Sequence, residues 1–393
     1  MTWSKGPLKE HCALVTKGTT PTSLGYKYSD QGIRFIRAQN IDNGRVIYQD
    51  SDLFIDEATD EALRRSRLRP GDVLISIAGT IGRVGVVPEH APSLNCNQAV
   101  AILRLKDSLD RDYLRYWLST AEAIRQIAGR SVTATISNLS LGQIKELEVP
   151  VPPLEEQRRI AEILELADGL RAKRREALAE VEGLTQAVFL EMFGKDSFPI
   201  TTLVDIGEVQ GGLQVSRKRE GLPQEVPYLR VANVHRDHLV LDEIKTIKVK
   251  ENEKSRTELL KGDLLVVEGH GNSKEVGRCA IWTGGIQNCV HQNHLIRVRC
   301  GDKLTPRYAC SVINSSLGRA YFEKSGKTTS GLNTISTKQV REFKMPLPPV
   351  PLQQKFAESV EAIERLKGSH QRSLEDMNDL FASLQSRAFK GEL

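Results

Sequence analysis

Several features that mark metal-binding, exported or membrane proteins are missing from this sequence. Its six cysteines include no C-x2-C pair, the spacing that structural zinc sites use. No apolar run approaches the roughly 20 residues that span a membrane, and residues 1–12 contain no basic head followed by an apolar stretch. We therefore expect no metal, no membrane contact, and a cytoplasmic chain with reduced thiols.

Motifs of catalytic proteins are also missing. Gly326-Lys327-Thr328 matches the end of a phosphate-binding P-loop, but Ala320 or Tyr321 stands where the leading glycine belongs. The segment from Gly79 to Gly85 has the spacing G-x2-G-x2-G, whereas dinucleotide binding uses G-x-G-x2-G. There is no Asn-Pro-Pro-Tyr or Asp-Pro-Pro-Tyr cluster, the motif with which amino-methyltransferases grip a flipped base. We therefore predict no catalytic residues in this chain.

Two pairs of histidines could suggest a metal site. His235 and His238 stand three residues apart, as do His291 and His294. Both pairs lie in predicted strands or loops, and no third ligand has a suitable spacing. We therefore predict no metal ligands.

The composition is that of a folded protein with more than one core. The chain has 393 residues, of which 39% are hydrophobic and 27% charged, with a net charge of +5. This length exceeds what one core usually supports. A charge of +5 is only a weak indication of a polyanionic partner.

An internal repeat organises the whole chain. Residues 143–193 align without gaps on residues 339–389, a constant offset of 196 (339 minus 143). Identical residues in the two copies include Pro150, Pro152, Pro153, Gln157, Ala161, Glu162, Leu170, Leu178, Leu184 and Phe193, repeated at Pro346, Pro348, Pro349, Gln353, Ala357, Glu358, Leu366, Leu374, Leu380 and Phe389.

Upstream of these segments the match is looser but keeps its order. Arg37 with Asn40 resembles Arg230 with Asn233, and residues 70–74 resemble residues 261–265. Asn95-Cys96 resembles Asn288-Cys289, and Tyr113 matches Tyr308. The chain therefore reads as globule, helix, globule, helix.

The local patterns predict two α+β globules. Short β-type runs, for example 33–37, 73–78, 84–87 and 100–105, precede helical stretches at about 111–128 and 306–324. A proline-punctuated strand at 147–153 or 343–351 ends each globule. We predict a first globule at 1–150, a spacer helix at 151–195, a second globule at 196–346 and a C-terminal helix at 347–393.

Heptads predict that the two long helices pair. Glu155 and Glu156 favour the start of the first helix, Gly194 favours its end, and the second helix is expected to begin a turn later than its repeat partner. The predicted core positions are Ile160, Ala167, Val181 and Val188 with Ile163, Leu170, Ala177 and Leu184, and Phe356, Ile363, Met377 and Leu384 with Ser359, Leu366, Ser373 and Leu380.

We favour antiparallel pairing, because it relates two similar halves by an approximate two-fold axis. Arg174 and His370 interrupt the same core position, and they are also 196 residues apart. They could form a polar layer that fixes the register of the pair. Alternatively, both side chains could extend to solvent.

The segment Leu147 to Ile160 (LEVPVPPLEEQRRI), its weaker copy at Phe343 to Phe356, Lys17 to Pro21 (KGTTP) and Pro70 to Leu74 (PGDVL) resemble the specificity subunit of type I restriction-modification systems. The resemblance covers essentially the whole chain. It implies two target-recognition domains, each reading one half of a split DNA sequence, held apart by an antiparallel helical pair.

The same resemblance implies partners rather than chemistry in this chain. Two modification subunits would methylate adenine with S-adenosylmethionine, and restriction subunits that translocate and cut DNA would use ATP and Mg. This chain would hold no cofactor itself.

Candidate DNA contacts are polar or basic residues in glycine-containing loops, because phosphates need basic or amide groups and base edges need paired hydrogen bonds. In the first globule these are Lys17, Thr19, Thr20, Arg37, Asn40, Thr80, Arg83, Asn97, Gln98, Arg130, Ser131 and Thr133. In the second globule these are Gln214, Arg217, Lys218, Arg230, Asn233, His270, Asn272, Lys274, His291, Gln292, Lys327, Thr328, Thr329, Ser330 and Asn333.

The segment from Lys324 to Asn333 carries the strongest of these signals, although a solvated loop between helix and strand is the alternative. For any other single residue, ordinary turn chemistry is at least as good an explanation. Two other functions compete with DNA recognition: an enzyme in its own right, which would need a catalytic constellation, and a coiled-coil adaptor, which would bind no DNA.

Overall fold

The computed structural model describes residues 3–129, 138–194, 197–329 and 331–393. The chain divides into two compact units. The first unit combines residues 1–177 with residues 370–393, and the second unit is the continuous segment 178–369. Each unit therefore contains one globule and one end of both long helices.

The described residues of the first unit form eleven strands. They are β1 (Lys5–Pro7), β2 (Cys12–Lys17), β3 (Ile33–Ile36), β4 (Ile41–Asp42), β5 (Gly44–Val46), β6 (Leu53–Ile55), β7 (Val73–Ser76), β8 (Val84–Val86), β9 (Leu94–Cys96), β10 (Val100–Leu105) and β11 (Glu148–Pro150). A six-stranded sheet has the order β2-β10-β7-β8-β5-β4, a three-stranded sheet the order β6-β3-β9, and β1 pairs with β11.

The second unit repeats this plan. Its strands are β12 (Ile200–Thr202), β13 (Gly207–Gly211), β14 (Gln224–Leu229), β15 (Lys245–Val249), β16 (Leu264–Val267), β17 (Gly269–His270), β18 (Cys279–Ile281), β19 (Val290–His291), β20 (Leu295–Cys300), β21 (Lys327–Thr329), β22 (Leu332–Thr334) and β23 (Lys344–Pro346). The sheets are β13-β20-β16-β18, β15-β14-β19, β17-β22-β21 and β12-β23. The predicted α+β class is confirmed.

The helices in chain order are α1 (Glu57–Ala62), α2 (Arg111–Leu118), α3 (Ala121–Gly129), α4 (Leu141–Lys145), α5 (Leu154–Phe193), α6 (Leu203–Ile206), α7 (Glu251–Thr257), α8 (Pro306–Asn314), α9 (Ser316–Ser325), α10 (Thr337–Arg341) and α11 (Val350–Ala388). Among the residues given above as described, no helix is long and apolar enough to cross a membrane. All six cysteines carry free thiols.

Each predicted helix of the globules is in fact two helices. Thr120 separates α2 from α3, because its hydroxyl donates to the Trp117 carbonyl (2.7 Å) and accepts from the Ala123 amide (3.1 Å). Ser315 separates α8 from α9 in the same way, with its hydroxyl on the Val312 carbonyl (2.7 Å). Short hydroxyl side chains compete with the helix for its backbone partners, which explains both breaks.

A buried carboxylate fixes the same turn in each globule. Asp72 accepts two hydrogen bonds from the Arg104 guanidinium (2.8 and 2.7 Å), and Asp263 accepts two from Arg299 (2.8 and 2.7 Å). Both aspartates are almost fully buried. The planar guanidinium matches a carboxylate bidentately, so each pair ties the turn before β7 or β16 to the neighbouring strand.

A buried glutamine ties each long helix to its globule. The Gln157 side chain accepts from the Asp110 amide (2.7 Å) and donates to the carbonyls of Ser108 (3.1 Å) and Pro152 (2.8 Å). In the second globule Gln353 makes the corresponding contacts, with the Thr305 amide (2.8 Å) and the carbonyls of Lys303 (3.0 Å) and Pro348 (2.8 Å). Neither side chain is exposed to solvent.

Both long helices begin at the same point of the repeat. Leu154 and Val350 are 196 residues apart, so the expectation that the second helix starts a turn later is wrong. The reason is that Gln353 fixes the start of α11 as Gln157 fixes the start of α5, although the residues that begin the two helices differ. The end of α5 before Gly194 agrees with the sequence prediction.

The far end of each helix closes the core of one globule. Phe389, after α11, packs on Tyr113 with ring centroids 5.0 Å apart, and Phe193, at the end of α5, packs on Tyr308 at 4.8 Å. The Tyr113 and Tyr308 hydroxyls donate to the carbonyls of Pro150 and Pro346 (2.9 Å each). Each globule is thus completed by a helix end that the repeat places at an equivalent position.

The helices run antiparallel within each unit, as predicted. In the first unit the Arg159 side chain contacts the Leu393 carbonyl (3.0 Å), and Arg171 donates to the Asn378 side chain (2.9 Å). Residue numbers therefore rise along α5 as they fall along α11. In the second unit Glu182 lies 3.9 Å from Lys367, and Phe193 packs edge-to-face on Phe356.

The predicted second core position is wrong at its four leucines, whereas Ile163, Ala177, Ser359 and Ser373 are half-buried. Leu170, Leu184, Leu366 and Leu380 are 58%, 40%, 44% and 57% exposed. The buried or half-buried stripe runs instead through Leu164, Arg171, Leu178, Thr185 and Met192, and through Val360, Lys367, Leu374, Phe381 and Ala388. A 3.5-residue repeat is satisfied by spacings of three or of four, and leucines occupy both stripes, so the sequence pattern did not distinguish them.

We predict that Gln157→Ala lowers the free energy of unfolding by about 3 kcal/mol, because it leaves one buried amide and two buried carbonyls without a partner. Gln353→Ala should have a similar effect on the second unit. Thermal or urea unfolding measures the change. Gln354→Ala, at an exposed neighbouring position, is the matched control and should change stability by less than about 0.5 kcal/mol. A Gln157→Ala change equal to that of the control would contradict the structural role.

Candidate nucleic-acid interface

The ends of several strands meet at one edge of each globule, held by the same main-chain hydrogen bonds. In the first globule they are Thr19 N to Cys96 O (3.2 Å), Asn97 N to Ile36 O (3.0 Å), Ile77 N to Ala99 O (2.8 Å) and Leu139 N to Ile77 O (2.9 Å). In the second globule they are Leu213 N to His291 O (2.9 Å), Gln292 N to Leu229 O (3.0 Å), Glu268 N to His294 O (2.9 Å) and Ile335 N to Glu268 O (2.9 Å). We call these the first edge and the second edge.

The hydrogen bonds correct the alignment of the two globules. Cys96 corresponds to His291, and Leu94, whose carbonyl accepts from the Leu68 amide (2.9 Å), corresponds to Cys289, whose carbonyl accepts from Leu259 (2.9 Å). The sequence match of Cys96 with Cys289 is therefore wrong. Equivalence here follows from main-chain pairing and does not require the same side chain.

A glycine allows the closest approach at each edge. A Cβ on Gly18 would lie 2.1 Å from the Cys96 carbonyl oxygen, and one on Gly212 would lie 2.2 Å from the Gln292 carbonyl oxygen. Any larger residue would push the chains apart. These contacts bring the loop after β2, with Lys17, next to Asn97.

The first edge gathers most of the predicted contacts of its globule. Lys17, Thr80 and Gln98 are exposed there. Thr19, Thr20, Arg83 and Asn97 are half-buried. The exposed amide of Gln98 and the ammonium of Lys17 are groups that can bind base edges and phosphates.

Asn40 and Asn233 hold the edges from inside. Asn40 is fully buried; it accepts from the Arg37 amide (3.0 Å) and donates to Ile47 O (3.1 Å). Asn233 accepts from the Arg230 amide (3.0 Å) and donates to Val240 O (2.9 Å). A DNA contact by either asparagine is incompatible with this burial, because all its bonding groups face the interior.

Arg37 and Arg230 are half-buried beside these asparagines. The Arg37 guanidinium donates to the Ser51 carbonyl (3.3 Å), and that of Arg230 lies 2.6 Å from a Glu243 carboxylate oxygen. Both cations already have partners within the globule. A phosphate would therefore have to compete with these contacts.

A three-stranded sheet, β17-β22-β21, lies at the second edge. Strands β21 and β22, which lie in a segment predicted as a loop, pair with each other, and β22 also pairs with β17 through Gly269 and His270. The Asn333 side chain donates to the Gly271 carbonyl (3.2 Å). The sheet brings Lys327, Asn333 and the loop after β17 together.

Most of the other predicted residues of the second globule are accessible to solvent. Gln214, Arg217, Lys218, Asn272, Lys274 and Lys327 are exposed, and His270 and Gln292 are half-buried. Their positions leave basic and amide groups on the same edge. Such groups make the phosphate and base contacts of DNA-binding proteins.

Some predicted residues lie outside the described part of the chain. They are Arg130, Ser131, Thr133 and Ser330. The backbone of Thr328 and Thr329 belongs to β21.

The sequence analysis missed Asn138 at the first edge. Asn138 is exposed and forms a backbone bridge with Ala78, as Thr334 pairs with Gly269 at the second edge. Asn138 and Thr334 are also 196 residues apart. Extending the offset upstream of residue 143 places Asn138 opposite Thr334, directly after the predicted contact Asn333.

The helices contain more polar contacts than the predicted pair. Arg174 and His370 are half-buried, and the His370 Nδ1 atom is buried without a hydrogen-bond partner among the residues the structure describes. Arg171 donates to Asn378 and its guanidinium lies 4.2 Å from the Phe381 ring centroid. This direct contact, not foreseen from the sequence, fixes the local register.

His291 is a structural residue. It is fully buried, with Nδ1 3.0 Å from the Thr257 carbonyl and Nε2 3.3 Å from the Gln210 carbonyl. Burial lowers the pKa of His291 to about 4, so the ring is neutral at pH 7. The prediction that His291 contacts DNA is therefore not compatible with its position, which lies behind the edge and supports β19.

A known protein family matches each half of the sequence repeat. The model of the type I restriction modification DNA specificity domain matches residues 1–182 and again residues 196–376. The chain belongs to this family. Sequence-specific DNA recognition is therefore its function, as the resemblance of residues 147–160 implied.

Relatives of this specificity-domain family match along the whole chain. The chain is 24% identical to the type I restriction enzyme EcoKI specificity subunit of Escherichia coli K12, and 24% identical to the StySPI specificity subunit of Salmonella potsdam. Each alignment covers 100% of this chain and 89% of the relative.

Solved structures support the fold. A chain from a study of complex assembly and conformational transition of the type I R-M system matches with a TM-score of 0.66 and 18% identity, over 100% of this chain and 98% of that one. The S subunit from M. genitalium matches with a TM-score of 0.56 and 16% identity, over 99% and 96%. Two α+β globules with antiparallel helices are thus shared within the family.

We predict that acid destabilises the second unit through His291. A pKa of about 4 when folded, below the ordinary 6.5, means that the unfolded chain binds this proton first. The contribution is present above pH 6.5 and is lost as the pH falls to 4, by about 3 kcal/mol. His291→Cys, which copies the first globule, should flatten the unfolding free energy over this range.

His90→Cys, at an exposed histidine, is the control for that measurement. It should leave the wild-type pH dependence of the unfolding free energy unchanged. An identical pH dependence in wild-type protein and His291→Cys would show that His291 is not buried in the neutral form.

Proposed function

We propose that this chain is the non-catalytic specificity subunit of a type I restriction-modification complex, in which each globule reads one half of a bipartite double-stranded DNA target. The observation that carries the proposal is that the two edges share the same main-chain hydrogen bonds but have different side chains at equivalent positions. Thr19, Asn97 and Ala99 of the first edge are replaced by Leu213, Gln292 and His294 at the second. Two related edges with different chemistry suit an asymmetric target.

The length of the helical pair sets the number of unread base pairs between the two half-sites. Support comes from the seven-residue spacing of the buried stripes and from the Arg171 to Asn378 contact, which together resist sliding of one helix along the other. Direct polar contacts in such a seam favour one register.

Methylation and cleavage belong to partner subunits. Two modification subunits would supply S-adenosylmethionine-dependent methyl transfer, and restriction subunits would use ATP and Mg. Two exposed leucine pairs support two equivalent docking surfaces, since Leu170 with Leu366 and Leu184 with Leu380 are each 196 residues apart. Repeated exposed leucines on a helix are typical of a protein contact.

We predict that a host expressing this chain with its modification subunit acquires adenine methylation at a split motif with a fixed gap. Long-read sequencing detects the motif, and a host without this chain is the control. Leu170→Lys with Leu366→Lys should abolish the motif together with binding of the modification subunits. If the host with this chain, in a soluble complex, shows the same methylation as the host without it, the chain would instead be a coiled-coil adaptor that binds no DNA. Such an adaptor would also lack salt-dependent affinity for DNA.

We predict that duplicating residues 171–177 in α5 and 372–378 in α11 lengthens the gap by about three base pairs. Seven helical residues rise roughly 10 Å, and DNA rises about 3.4 Å per base pair. Both half-sites should stay the same in methylation mapping. Duplicating only one segment breaks the pairing and serves as the control. A changed half-site, or a constant gap, would contradict the spacer role.

A further inference from the structure

The two globules differ most in length at one point of the equivalent edges. Ile77 and Glu268 make equivalent hydrogen bonds and are 191 residues apart. Arg83 and Arg278 are also equivalent, because their carbonyls accept from the amides of Ser76 and Val267, but they are 195 residues apart. The second globule therefore has four additional residues between these positions. Elsewhere the offset between equivalent residues changes by at most two, as from 193 at Ile36 and Leu229 to 191 at Leu68 and Leu259.

The additional residues lie within a loop that we call the inserted loop, residues 270–276. The loop begins at His270, the last residue of β17, which pairs with β22. Glu268, two residues earlier, donates its amide to the His294 carbonyl (2.9 Å). The loop thus adjoins strand β22, and through Glu268 it is linked to the turn at His294. The length difference is located at the second edge itself.

Three elements of the second globule hold the inserted loop in one conformation. The Arg236 guanidinium donates to the Lys274 carbonyl (3.0 Å), the Asn333 side chain donates to the Gly271 carbonyl (3.2 Å), and the Ser273 hydroxyl bonds to the Glu323 carboxylate (3.3 Å). A loop that is ordered before binding loses little entropy on binding.

The inserted loop presents groups suited to DNA. Asn272 and Lys274 are exposed. Asn272 also orders the loop, since its side-chain oxygen accepts from the Lys274 amide (3.1 Å). An exposed asparagine amide can donate to acceptors on base edges, and a lysine ammonium can bind a phosphate. Lys327, on the strand that pairs with β22 from its other side, adds a second exposed cation.

We propose that the inserted loop is the element with which the second globule discriminates bases in its half-site. The inference rests on the proposed function and adds a residue-level assignment to it. Two globules of one fold that read different sequences must differ where they meet the bases, and the largest difference in length between these edges lies in this loop. Asn272 reads base edges, and Lys274 holds the adjacent backbone.

The test is methylation mapping of the Asn272→Ala, Lys274→Ala double variant in complex with the modification subunit. Methylation at sequences that differ from the wild-type motif in one half-site should rise roughly tenfold, the change expected from one lost base contact. The other half-site and the gap should be unchanged. Replacing residues 270–276 with the shorter Gly79-Thr80-Ile81 loop should relax the same half-site.

Lys303→Ala is the matched control, because this exposed lysine lies beyond the opposite end of β20. It should leave the motif unchanged. A wild-type motif in the double variant would overturn the inference while leaving the proposed function intact. Changes in both half-sites, loss of all methylation in an intact complex, or loss of modification-subunit binding would also overturn it. If the wild-type chain produced no split motif, the proposed function itself would fail.

Discussion

A buried side-chain amide at the start of each long helix is the contact on which the rest of the fold depends. Gln157 and Gln353 each bond to three backbone groups, two in the globule and one in the proline-containing strand end. Because a neutral amide both donates and accepts, it satisfies groups that an apolar residue would leave unpaired. These bonds attach the first turn of each long helix to its globule at equivalent positions.

The edges separate support from recognition. Main-chain hydrogen bonds and the buried Asn40 and Asn233 build the same frame twice, whereas the exposed side chains on it differ. Cys96 and His291 occupy equivalent positions although they share no chemistry. A frame built from backbone contacts tolerates such exchanges, so the reading surface can change without loss of the fold.

The repeat of 196 residues was sufficient to predict the helices, their antiparallel direction and the two α+β globules. The repeat was insufficient where the same sequence pattern is compatible with two different placements of a side chain. Leucines occupy both possible stripes of the helices, and only packing shows that Leu164 is buried and Leu170 exposed. Polar residues such as Asn40 look alike whether they cap a turn or face DNA. The extra residues near His270 also disturbed the alignment of Cys96 with its true counterpart.

The first unit is built from two segments that lie far apart in the sequence, and this affects the order in which the chain folds. Its core includes Ala388 and Phe389, which are synthesised after the whole of residues 178–369. The second unit is continuous and can complete its own core as soon as it has been translated. Domains usually fold from the N-terminal end during synthesis. Here the earlier globule must wait with an open core, and its Tyr113 surface is exposed to chaperones and proteases until the last helix arrives.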